Sequence, residues 1–123
     1  MKMKTVILIA LAMITGAFAS PVDSSAKSVS MNDFKKELKN NKSLVVLDVR
    51  TSEELEGTLG KIEGSINIPL QQLENRIGEL EKYKVNDIRV ISRSGIPSKL
   101  ATEILISHGF KAANVIGGMM AFR

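Results

Sequence analysis

Ser92-Arg93-Ser94-Gly95-Ile96-Pro97-Ser98 is the stretch of this chain whose residue types and spacing are best suited to chemistry. An apolar run ends at Ile91 and a helical pattern starts at Ser98, so the stretch leads straight from a strand into a helix. Gly95 permits backbone angles that other residues resist. Pro97 suits the first helical position, where its missing N–H is no loss. A tight turn at a helix N-terminus points several backbone N–H groups inward and adds the helix dipole, and together they favour an anion. Arg93 adds a positive charge. Arg93, Ser94, Gly95, Ile96, Pro97 and Ser98 therefore form a candidate anion-binding loop, with Ser92 as the candidate reactive group at its start. Asp48-Val49-Arg50 closes a second apolar run and is the other chemically loaded strand end. In open α/β sheets ligands bind at such carboxyl ends. The leading expectation for Asp48 is structural, an aspartate that accepts N–H bonds from the adjoining turn. Arg50 either pairs with an acid or leans over the loop.

A serine nucleophile needs a base to take its proton. His108 is the only histidine, and ten residues of helix place it ~15 Å from the loop. It cannot serve Ser92, and is read as a helix C-terminal residue facing the dipole or solvent. Zinc and iron–sulfur sites are excluded by one histidine and no cysteine. No metal and no cofactor is expected. The Met119-Met120 pair reads as core filler.

These residues need a scaffold, and the apolar pattern supplies one. Ser30 reads as a helix cap, with Asp33 in the first turn and Met31, Phe34 and Leu38 on one face. Leu44 to Leu47 is a continuous apolar run of the kind buried on both faces of a parallel sheet. Thr51 to Glu54 has the spacing of a capping box and predicts a helix start. Ile66 to Ile68 predicts a short strand ending at Pro69. A helix is expected from Leu70, with Leu70, Leu73, Ile77 and Leu80 on its stripe. Ile88 to Ile91 predicts another buried strand. A further helix over Ser98 to His108 is expected to turn Leu100, Ala101, Ile104 and Leu105 inward and to end at Gly109. Val115-Ile116 predicts the last core strand. Strands alternating with helices, and no hairpin signal, imply one α/β domain with a mainly parallel sheet flanked by helices on both faces.

The loop resembles the active-site loop of rhodanese domains, which reads Cys-Arg-Ser-Gly-x-Arg-Ser. Leu47-Asp48-Val49-Arg50 with Thr51, Glu53 and Glu54 is similar to that family's Asp-Val-Arg segment and helix start. Gly60 to Pro69 is similar to its Gly-His-Ile-Pro-Gly-Ala-x-Asn-Ile-Pro segment. Gly109-Phe110 and Gly117-Gly118-Met119 to Phe122 resemble its helix end and Gly-Gly-x-x-x-Trp tail. Four segments in order cover residues 30–123. The resemblance implies a rhodanese-like domain over 30–123 and a sulfurtransferase, whose cysteine takes sulfane sulfur from thiosulfate and passes it to a nucleophile. Ser92 stands at the cysteine position, and a hydroxyl forms no stable persulfide. Pro97 stands for an arginine, Lys61 for a histidine, Glu63 for a proline and Phe122 for a tryptophan. The leading expectation is therefore a domain without sulfurtransferase activity that keeps its oxyanion loop (for thiosulfate, sulfate or a similar ion) and recognises a protein partner. The rival is a working thiosulfate sulfurtransferase whose cysteine has been replaced by Ser92. Phosphatase-like chemistry on a related fold would need a cysteine nucleophile and a loop-closing arginine, and neither is present.

The front of the chain predicts export. Lys2 and Lys4, an apolar run from Thr5 to Ile14 and Ala17-Phe18-Ala19 make a signal peptide over residues 1–19, cut before Ser20. The run is shorter than the roughly 18–20 residues that span a bilayer, so no stable membrane anchor is expected once it is cut, and the mature chain is periplasmic or secreted. Residues 20–29 read as a flexible leader. Residues 1–19 hold two lysines and no acid, so their removal lowers the formal net charge from +4 to +2. The remaining lysines are interspersed with glutamates and Tyr83 is the only aromatic among basic neighbours, a pattern that does not fit nucleic acid.

Overall fold

The computed structural model describes residues 27–123; the expected signal peptide and most of the expected leader lie outside these residues. Five strands, β1 (Ser28–Val29), β2 (Val45–Asp48), β3 (Ile66–Asn67), β4 (Asp87–Ile91) and β5 (Lys111–Val115), form one sheet in the order β1-β5-β4-β2-β3. Every pairing is parallel. Among the described residues three α-helices accompany them: α1 (Met31–Asn40), α2 (Pro97–Ser107) and α3 (Gly118–Phe122). All four β2 residues are buried, as a strand covered on both faces must be.

The alternation of side chains along the strands divides the core in two. On one face Val45, Leu47, Ile88, Val90 and Ala112 pack with Ala101 and Leu105 of α2 and with Leu73 and Leu80. On the other, Val46, Ile91 and Val115 pack with Phe34 of α1 and Met119 of α3. Phe122, which stands for the family's tryptophan, packs beside that second cluster with its ring centroid 6.2 Å from that of Phe34. Glu37 of α1 reaches the sheet and pairs with Arg89 of β4 at 2.7 Å. This bond holds the guanidinium in its charged form and raises its pKa.

Four local expectations are corrected. Ser28-Val29, read as the end of a flexible leader, is a strand on β5; Asn114 N–H donates to Lys27 O and Ile116 N–H to Val29 O. The capping box forms, with Thr51 N–H to Glu54 Oε1 at 3.0 Å and Glu54 N–H to Thr51 Oγ1 at 3.3 Å. It opens only a 3₁₀ turn, Glu54–Glu56, because the chain turns extended at Gly57. Leu70–Gln72 and Glu74–Tyr83 are likewise 3₁₀ rather than α-helical. Leu70 and Leu73, and then Ile77, Leu80 and Tyr83, reach the core; within each group they are three residues apart, the interval at which 3₁₀ side chains align. Finally, Leu100 (52% exposed) and Ile116 (55%) face outward. The inward stripe of α2 is Ser98, Ala101, Thr102 and Leu105, with Ile104 packed beside it against the same core as expected, so two hydroxyl residues fill inward places where only apolar ones were sought.

Candidate active site

Residues 92–96 leave the carboxyl end of β4 and enter α2. β2 ends beside them, since Asp48 pairs in register with Ile91. Parallel pairing thus brings the two loaded segments to one edge of the sheet, as their positions at strand ends predicted.

Ser92 is buried at 2% exposure. Its Oγ accepts the N–H of Gly95 at 3.0 Å and of Ser98 at 3.3 Å, and its hydroxyl donates to Ser98 Oγ at 2.9 Å. Ser98 Oγ in turn donates to Asn114 Oδ1. The loop does aim backbone N–H groups inward, and two of them converge on the γ atom of residue 92 itself. A thiolate placed there would be held by the same donors and by the start of α2, the setting that lowers a cysteine pKa. A serine hydroxyl gains no comparable acidity. His108 lies at the far end of α2, exposed, with Nδ1 2.9 Å from Ile104 O, and is no base for Ser92.

Close backbone contact holds the loop in this shape. Gly95 has φ +97°, and a Cβ on it would sit 2.8 Å from Gly117 N. Gly118 has φ +58°, and a Cβ there would press on Ser92 O and lie 2.7 Å from Arg93 O. Because neither has a side chain, the turn after β5 lies directly against the loop. Met119 N–H then donates to Ser92 O at 2.8 Å and Met120 N–H to Arg93 O at 3.0 Å. Met119 is buried as expected, whereas Met120 is exposed.

Asp48 and Arg50 form the second part of the site. Asp48 Oδ1 accepts Arg50 N–H at 3.1 Å, the turn bond expected of it. The Arg50 guanidinium lies on the same carboxylate, Nη2 to Oδ2 at 2.7 Å, and both side chains are buried. Nη2 also donates to Gly60 O at 2.8 Å. Of the two expectations for Arg50, pairing with an acid is the one realised. Its charge is neutralised by Asp48, although it borders a cleft of about 170 Å³ that opens beside Ser92, Arg93, Pro97 and Glu54. A larger cavity of about 490 Å³ lies at the amino ends of β4 and β5, by Asp87 and Lys111, at the opposite end of the strands.

Sequence reading missed Asn114 and the inward hydroxyls of Ser98 and Thr102. The signal for Asn114 was present: a lone polar side chain in Ala112-Ala113-Asn114-Val115, which occupies a buried strand.

Residues 30–123 match the rhodanese-like domain family. The chain belongs to the rhodanese-like family. Among curated relatives, the Bacillus subtilis protein YrkF is 36% identical over 105 residues, which are 85% of this chain and 55% of that one. YtwF of the same species is 32% identical over 96 residues, 78% of this chain and 89% of the relative. The chain thus spans about half of YrkF and most of YtwF. The mouse protein "Thiosulfate sulfurtransferase/rhodanese-like domain-containing protein 3" is 36% identical over 106 residues, 77% of this chain and 66% of that one. A Staphylococcus aureus rhodanese-like domain protein superposes with a TM-score of 0.70 at 29% identity, covering 79% of this chain and 91% of that one. This rhodanese-like domain has no cysteine, and Ser92 starts its loop.

Proposed function

We propose that the chain is an exported rhodanese-like domain that transfers no sulfur, retains a weak oxyanion site at the loop and recognises a protein partner. The observation that carries this reading is the occupant of the loop's focus. Ser92 Oγ takes the two N–H bonds that would hold a sulfur atom, and no cysteine elsewhere can substitute. Anion binding is supported by the helix start and Arg93; the helix-terminus interaction alone contributes about 0.3–1 kcal/mol, short of the about 4 kcal/mol of a millimolar site, so affinity no tighter than millimolar is expected. Partner recognition is supported by the surface around the loop. Of the five large apolar side chains exposed among the described residues, Ile96 lies on the loop, Leu100 on α2, Ile116 on the turn that packs against the loop and Met120 on α3. Arg93 of the loop and Lys99 of α2 are exposed as well. Export is supported by the pattern of residues 1–19.

The second reading, a thiosulfate sulfurtransferase whose cysteine has been replaced by serine, is favoured by the intact convergence of loop donors on position 92. One paired experiment tests both. Sulfate or thiosulfate is titrated by NMR into the Ser92 protein, and thiocyanate production is measured for the Ser92→Cys variant. Loop amide shifts with millimolar anion and partial activity in the variant are expected. No amide shifts would remove the oxyanion site, and activity of the variant at the level of a working family enzyme would favour the second reading.

A further inference from the structure

Each hydroxyl in the site has one proton to give, and the hydrogen bonds assign both. Ser92 Oγ accepts two backbone N–H groups, so its own proton goes to Ser98 Oγ, 2.9 Å away. The Ser98 proton therefore goes to Asn114 Oδ1. Residues 98 and 114 are 0% and 4% exposed, which leaves little water to replace a lost partner. The relay runs one way, from position 92 through Ser98 to Asn114.

We infer that Asn114 is a positioning residue that fixes the charge state position 92 can carry, by holding the Ser98 proton away from it. A neutral donor at 92 fits the relay. An anion at 92 does not: it would face the lone pairs of Ser98 Oγ, and ionisation requires the Ser98 hydroxyl to turn from Asn114 and leave a buried amide oxygen unpaired. The backbone N–H groups of Gly95 and Ser98 favour charge at position 92, and Asn114 opposes it through one hydroxyl. The inference concerns the relay and holds whether or not the domain transfers sulfur.

The absence of other cysteines makes the test clean, because Ser92→Cys introduces a single thiol. Its pKa is read from the thiolate ultraviolet absorbance across a pH series, which requires no reagent to enter the buried site. In Ser92→Cys the S–H donates to Ser98 as the hydroxyl does. Adding Asn114→Ala frees the Ser98 hydroxyl to donate to the thiolate, so the pKa should fall by about one unit, the size expected for a hydrogen bond to a charged group. In a Ser92→Cys, Ser98→Ala background the same Asn114→Ala change should have no such effect, because the hydroxyl that transmits it is gone. Asn114→Leu, close in volume and without an acceptor, should match Asn114→Ala and replaces it if the smaller side chain fails to fold. A thiol pKa that is unchanged or raised by loss of the Asn114 amide, or a fall that persists without the Ser98 hydroxyl, would overturn the inference. Sulfur transfer is not read in this experiment, so its outcome is separate from that of the functional proposal.

Discussion

Ser92 shows how one atom decides what a preserved scaffold can do. The γ-oxygen sits where two backbone N–H groups and a hydroxyl meet, yet oxygen can neither carry sulfane sulfur nor ionise there without a base. Purified protein is therefore expected to produce thiocyanate from thiosulfate and cyanide at the uncatalysed rate; turnover that tracks the protein through chromatography would refute this. Ser92→Cys should restore only part of the activity, because Pro97 leaves the loop without a second arginine to hold the donor. Arg50 belongs to the same scale. It lies on a buried carboxylate, and removing one partner of a buried pair costs about 3–5 kcal/mol, since the other charge is left uncompensated. Arg50→Ala should lose stability of that order in urea unfolding; a loss below about 1 kcal/mol would show that water reaches Asp48. The role of Asp48 was legible because an aspartate at a strand end has few uses. That of Arg50 was not, since its partner is set by side-chain direction rather than by spacing.

Among the elements, the strands were the most legible and the helical segments between them the least. Buried runs such as Val45 to Leu47 can be satisfied only inside a sheet, and the sheet then brings both site segments to one edge. By contrast, a capping box or an apolar stripe marks a helical turn without fixing its length or type. The segments 54–56 and 70–83 accordingly became 3₁₀ turns, and α2 turned Ser98 and Thr102 inward where only apolar residues were sought. The Gly117-Gly118 pair was visible as a family tail, but its role is set by a contact between segments distant in the chain: it lets the turn after β5 touch the backbone of the loop. Gly118→Ala should therefore disturb the site as well as stability. A non-glycine residue at its positive φ costs of order 1–3 kcal/mol, and the added methyl would press on Ser92 O and Arg93 O. The expected result is a lowered unfolding midpoint together with amide shifts at Ser92, Arg93 and Gly95. A stable variant with unshifted loop amides would mean that α3 can move without the loop.

At the scale of the whole molecule, the question is where the folding unit begins. Without cysteine no disulfide can contribute, so stability is left to packing, and the two-sided core of this sheet can supply it at about a hundred residues. Under the export proposal the mature chain begins at Ser20, and mass spectrometry of the exported product should find that terminus; Met1 to Ala19 still attached would sink the export proposal. The fold adds a second, independent boundary. β1 starts at Ser28, and its backbone accepts from Asn114 and Ile116 through Lys27 O and Val29 O, while Ser30 caps α1 through Asp33 N–H. A chain starting at Ser20 keeps all of these bonds. A chain starting at Ser30 keeps the cap but loses both backbone bonds, at about 0.5–1.5 kcal/mol each, and leaves the edge of β5 unpaired beside Asn114. Comparing the two by urea unfolding should show the shorter form weaker by about 1–3 kcal/mol, with the largest amide shifts along β5. Equal stability would mean that β1 rests on the sheet without supporting it, and that residues 20–29 serve only as the leader first read from their composition.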